Sequence, residues 1–188
     1  MLVALGSLSA AQTKGTEQTM KAAVHPLNYA ATYPDAIVRF RASDMILHMH
    51  SDASYLSEPK ARSRVGGYFF LDGKDDPNPD SPPPPINGAI HVVSEIMRNV
   101  MPSAAEAETG GLFVNGQAGV PIRTTLEEMG HPQPGPTPLT TDNTAATGIA
   151  NDTVKAKRSK AMDMRFHWIQ DRVCQCQYRV HWKQGKVN

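Results

Sequence analysis

The chain of 188 residues balances 19 Lys and Arg against 18 Asp and Glu, a formal net charge of +1. That length fits one domain with room for part of a second, and the near-neutral balance excludes a global basic field, so any nucleic-acid surface must be local. Two cysteines exclude a disulfide framework and fit a reducing compartment, and no run approaches the ~20 apolar residues of a membrane span.

Residues 1–44 read as mainly helical. The apolar start Met1-Leu2-Val3-Ala4-Leu5 is cut by Gly6 and Ser7 and lacks a basic leading segment, which argues against a signal peptide. Residues 16–33 place Met20, Ala23, Val24, Leu27 and Ala31 near helical spacing, with a break or kink expected at Pro26. Thr32-Tyr33-Pro34-Asp35 reads as the helix stop, and Ile37-Val38-Arg39-Phe40 as a short strand.

Met45-Ile46-Leu47 is an apolar run suited to a buried strand, predicted over residues 45–52 with Asp52 at its end among small polar neighbours. A carboxylate at the end of a central strand stands at the mouth of a sheet. Residues 64–71, with Val65, Tyr68, Phe69, Phe70 and Leu71, give a second strand, and residues 87–93 a third. The two form a hairpin at an antiparallel edge. Between them, residues 72–85 hold six prolines and four aspartates and read as a solvated, polyproline-leaning loop.

Ser103 is a good N-cap, and Glu106 three residues later completes a capping box. Gly110, Gly111, Gly116 and Gly119 then weaken the helix by roughly 0.5–1 kcal/mol each relative to Ala. Pro121 is expected to open a separate helix over residues 122–129, closed by Gly130 and Pro132. A short strand over residues 139–142 ends in Asp142, which is also placed to cap the small-residue helix predicted over residues 143–151. Lys155, Lys157, Arg158 and Lys160 form the one dense basic run, ahead of an amphipathic helix over residues 162–173. The final strand is predicted over residues 174–182, which would turn Cys174 and Cys176 to one face as reduced thiols. Trp168 and Trp182 read as core or half-buried, and Met45, Met49, Met97 and Met101 as packing residues.

Four of these segments together resemble the ribonuclease H region of a copia-type retrotransposon polyprotein. Ser51-Asp52-Ala53-Ser54-Tyr55 resembles the family's serine-aspartate-alanine motif. Ser103-Ala104-Ala105-Glu106-Ala107-Glu108 resembles its alanine-glutamate helix, and Thr141-Asp142-Asn143 its aspartate-asparagine motif. Arg158 to His167 resembles the arginine-x-lysine-x-x-aspartate-x-arginine-aromatic segment that follows. Each motif alone is weak. Order and approximate spacing agree over residues 45–188.

The resemblance implies an α/β fold of ribonuclease H type, a mixed five-stranded sheet with helices on both faces. It makes residues 1–44 a mainly helical tail of the preceding reverse-transcriptase or connection region, and residues 45–188 a ribonuclease H-like domain without its last helix. The implied activity is hydrolysis of the RNA strand of RNA–DNA hybrids during retrotransposon reverse transcription. Two Mg²⁺ or Mn²⁺ ions about 3.5–4 Å apart would serve the attacking and leaving oxygens of that reaction, and such hard cations want carboxylate oxygens. Asp52, Glu108 and Asp142 are the implied catalytic and metal-binding residues, with Asp52 bridging and Glu106 left to the cap. The family's fourth acid falls just past Asn188, so this stretch carries three of the four. The alternative reading is a non-catalytic connection or binding module, or a decayed element copy. Lys155, Lys157, Arg158, Lys160, Arg62 and Arg64 are the expected nucleic-acid contacts. The implied partners are the hybrid and the remainder of the polyprotein, with no membrane, in a cytoplasmic particle or the nucleus.

Overall fold

The computed structural model of the protein describes residues 1–73, 86–154 and 163–185. The loop expected over residues 74–85 and the basic run Lys155, Lys157, Arg158 and Lys160 lie outside the described residues. The chain divides into two compact units, Met1–Arg39 and Phe40–Asn188.

The first unit holds α1 (Leu2–Ala11) and α2 (Glu17–Thr32). Thr16 caps α2 in a reciprocal pair with Thr19, which satisfies the first free N–H groups. The helix runs on through Pro26 to Thr32 without the expected break. Its only buried residue is Pro26, and Met20, Val24 and Leu27 stay exposed. Ile37-Val38-Arg39-Phe40 forms no strand.

In the second unit the elements are β1 (Ile46–Glu58), β2 (Arg62–Asp72), β3 (Ala89–Ile96), α3 (Ala104–Glu128), β4 (Thr137–Thr141), α4 (Thr144–Ala150), α5 (Asp163–Cys174) and β5 (Tyr178–Trp182). The five strands form one sheet in the order β3-β2-β1-β4-β5. β1, β2 and β3 pair antiparallel, while β4 runs parallel to β1 and β5 parallel to β4. This is the expected mixed sheet. Period-2 alternation puts Leu47, Met49, Ser51 and Ala53 of β1 on its buried face. Leu139 of β4 and Val180 of β5 join them, and α3, α4 and α5 close that face through Leu112, Ile149 and Ile169. The helices described in this unit all contribute to this core. His48, His50, Tyr68 and Phe70 line the opposite face, with both histidine rings packed on Phe70.

α3 is one continuous helix through Pro121, not the two pieces expected. Its glycines are where it meets its neighbours. A Cβ at Gly111 would sit 3.3 Å from Ser51 Oγ, and one at Gly119 would sit 2.9 Å from the Tyr178 hydroxyl. One at Gly116 would lie 3.0 Å from the Trp168 ring. Packing therefore overrides the intrinsic helix cost of these residues. Between Gly111 and Gly116, the buried Asn115 donates from Nδ2 to Ser51 Oγ at 2.8 Å and to the Gly66 carbonyl at 2.9 Å. Its Oδ1 occupies the space where a side chain at Gly67 would begin. The helix ends as the sequence indicates. Gly130 adopts φ +88, and the N–H groups of Gly130 and His131 return to the carbonyls of Glu127 and Leu126.

β5 begins later than predicted. Cys174 closes α5 and Cys176 sits in the following turn at φ +56, so the two exposed thiols do not share a strand face.

Candidate metal centre

The site forms where β1 outruns β4. The β1–β4 ladder pairs Met49 with Leu139 and His50 with Thr140. Past that point β1 continues along β2 alone, with Asp52 opposite Gly66. Asp52 is thus not at the end of its strand, as predicted, but just beyond the end of one of its two ladders. Its side chain is exposed. The helix N-cap at Ser103 starts α3 so that Glu108, in the second turn, joins the stripe containing Gly111, Leu112 and Asn115 against β1 and β2.

Glu108 is 6% exposed and is tied to both flanking strands. Its Oε1 accepts from the Ala53 N–H at 3.2 Å, the residue after Asp52. Its Oε2 accepts from the Thr141 hydroxyl at 3.4 Å, the residue before Asp142. Asp142 leaves β4 exposed, and its main-chain carbonyl accepts from Trp182 Nε1 at 2.9 Å. It does not cap α4. Asn143 does, its side chain accepting from the Ala146 N–H at 3.0 Å.

Asp52, Glu108 and Asp142 therefore converge: each offers one carboxylate oxygen, all within 4.8 Å of one another. Burial, then the charge of Asp52, lifts Glu108 from an ordinary 4.5 to about 7, with Asp142 adding to the rise. The Ala53 N–H and the Thr141 hydroxyl pull the other way without offsetting it. On the opposite sheet face His50 is driven down to about 4 by burial, then by Lys183 and His48, so it is neutral at pH 7. Among the described residues none of the three acids has an ion-pair partner. A set of hard oxygen donors, one of them buried without a cation, fits a divalent ion such as Mg²⁺ or Mn²⁺.

No protein-family model matches the sequence, and no curated protein matches it. Solved structures do. The N-terminal RNase H domain of a Mycobacterium tuberculosis protein, solved as a fusion with maltose-binding protein, superposes with a TM-score of 0.52 at 12% identity. The match covers 77% of this chain and 86% of that one. LC11-RNase H1, isolated from compost by a metagenomic approach, gives a TM-score of 0.52 at 9% identity over 76% of this chain and 86% of its own.

The fold is ribonuclease H-like.

On this ribonuclease H-like sheet several sequence expectations shift. Ser103 Oγ accepts from the Glu106 N–H at 3.2 Å, but among the described residues the return half of the capping box is not made and Glu106 Oε2 is buried without a partner. Arg64 is not a surface cation. It is 6% exposed, and its Nε donates to Glu58 Oε1 at 2.6 Å while Nη1 reaches Ser94. The β1–β2 register, which sets Ser54 opposite Arg64, puts it between two strands' side chains rather than in solvent. Arg62 is half-buried and donates to the Pro59 carbonyl at 3.3 Å. Sequence reasoning missed Thr141, the Ala53 N–H and Trp182. Thr141 had a usable signal: in an alternating strand, an outward Asp142 requires an inward residue 141. The Ala53 N–H had none, because it becomes available only where β4 stops.

Proposed function

We propose that the second unit is a divalent-metal-dependent nuclease of ribonuclease H type, acting on the RNA strand of RNA–DNA hybrids within a copia-type retrotransposon polyprotein. One observation carries the reading: three carboxylates from β1, α3 and the β4 exit gather within 4.8 Å with no cation among the described residues to balance them. Asp52, Glu108 and Asp142 would hold the ions. The ions, when bound, would supply charge neutralisation and a water of lowered pKa. Asp52 and Asp142, exposed on either side of the buried Glu108, would position the phosphodiester at the surface of the sheet, where substrate can reach them. Lys155, Lys157, Arg158 and Lys160, with Arg62, would contact backbone phosphates, which makes binding salt-sensitive and sequence-independent. The particle housing the polyprotein would be cytoplasmic, with a nuclear stage.

The test is a Mn²⁺ titration of the chain beside Asp52→Asn. The expected result is binding by the parent and a loss of at least tenfold in the variant, followed by Mn²⁺-dependent cleavage of a hybrid. Equal binding in both ends the assignment of Asp52. Binding without cleavage favours the non-catalytic module over the enzyme.

A further inference from the structure

The chain leaving β5 passes across Asp142. The Lys183 N–H donates to the Thr141 carbonyl at 3.0 Å, carrying the β4–β5 ladder one residue past Trp182. The Trp182 indole holds the Asp142 carbonyl at 2.9 Å. Gly185 then comes so close that a Cβ on it would lie 2.6 Å from Asp142 Oδ2, 3.5 Å from Cγ and 3.6 Å from Cβ. Gly185 is not in the left-handed region, where Gly130 is the only glycine, so no turn geometry demands a glycine here. What a Cβ would meet is the carboxylate beside it: carbon and oxygen cannot approach to 2.6 Å without repulsion, and the end of the exposed Asp142 side chain is the part free to move.

We infer that Trp182 and Gly185 are positioning residues for Asp142: the indole fixes its main chain, and the bare backbone at 185 leaves room for its carboxylate to join Asp52 and Glu108. The functional half of this inference rests on the proposed metal site. The packing half does not. Neither residue belongs to the acid set, yet both control where one member of it stands. Adding a methyl at 185 turns the Asp142 carboxylate out of its place, since only its Oδ2 stands too close. Removing the indole N–H frees the Asp142 carbonyl and the turn that carries it.

The experiment uses the full chain with Gly185→Ala, Asp142→Ala, the two combined, and Trp182→Phe. Gly→Ala at a position whose backbone tolerates it ordinarily raises the thermal midpoint by restricting the unfolded chain. Here that rise is expected in full only in the Asp142→Ala background, and it should be smaller when Asp142 is present. The same shift in both backgrounds overturns the packing claim, whatever the metal does. Mn²⁺ alone is the second probe. Trp182→Phe should weaken it by about 10- to 100-fold, the usual loss when an outer partner of a ligand is removed, and Gly185→Ala should weaken it as well by turning the carboxylate. Unchanged Mn²⁺ affinity in both variants overturns the positioning role. A parent chain that binds no Mn²⁺ overturns the metal reading itself and with it the functional half, while the thermal cycle still decides the packing.

Discussion

Glu58 and Glu108 are both withdrawn from water, and they are handled in opposite ways. Glu58 is 11% exposed and meets the Arg64 guanidinium at 2.6 Å, so its charge is balanced within the chain. Glu108 is buried at 6% exposed, but its nearest charged neighbours are two more carboxylates, and it is lifted to about 7. A buried carboxylate beside an arginine is a structural brace. A buried carboxylate beside two others has no such balance among the described residues, and that difference separates the hairpin corner from the candidate centre more clearly than burial does.

The contrast can be broken at either glutamate. Arg64→Met should have the largest effect, a loss of about 3–5 kcal/mol in urea unfolding, because it strands a buried charge. Replacing Glu58 by Leu in the same chain should recover most of it. A double variant no better than the single would mean that Arg64 acts through Ser94 instead. At Glu108 the sign is inverted. Its folded pKa lies above the ordinary value, so the folded state holds the proton longer than the unfolded one. Stability of the metal-free chain should fall as pH rises from about 4.5 to 7, by on the order of 3 kcal/mol, and level off above that. Glu108→Gln should remove this slope, and at pH 8 the variant should be more stable than the parent while losing Mn²⁺ binding. A slope that survives the substitution assigns the proton elsewhere. The smallest change, Thr141→Val, deletes the hydroxyl that Glu108 Oε2 accepts from. It should cost about 1 kcal/mol and move the midpoint of that pH slope upward; a downward move would mean the hydroxyl does not serve the ionised form.

The acids were legible in the sequence because their order and spacing carry the resemblance, and the strands because residues 46–53 and 64–71 alternate or run apolar as buried strands do. What stayed hidden was set by partners distant in sequence. The glycines of α3 look like helix weaknesses until Ser51, Tyr178 and Trp168 are placed against them. Arg64 looks like a surface cation until its side chain is seen to reach Ser94 and Glu58. The exposure of Asp52 depends on where β4 stops, which no pattern around residue 52 records.

Asn115 lies seven residues beyond Glu108, two turns along the same helix and on the same stripe. Its amide spans β1 and β2 through Ser51 and Gly66, and it can do so only because position 67 has no side chain. Residues 67 and 115, distant in the chain, thus constrain one another. Among descendants of this sequence a side chain at 67 should appear only where 115 has also changed, since the two cannot fill the same space.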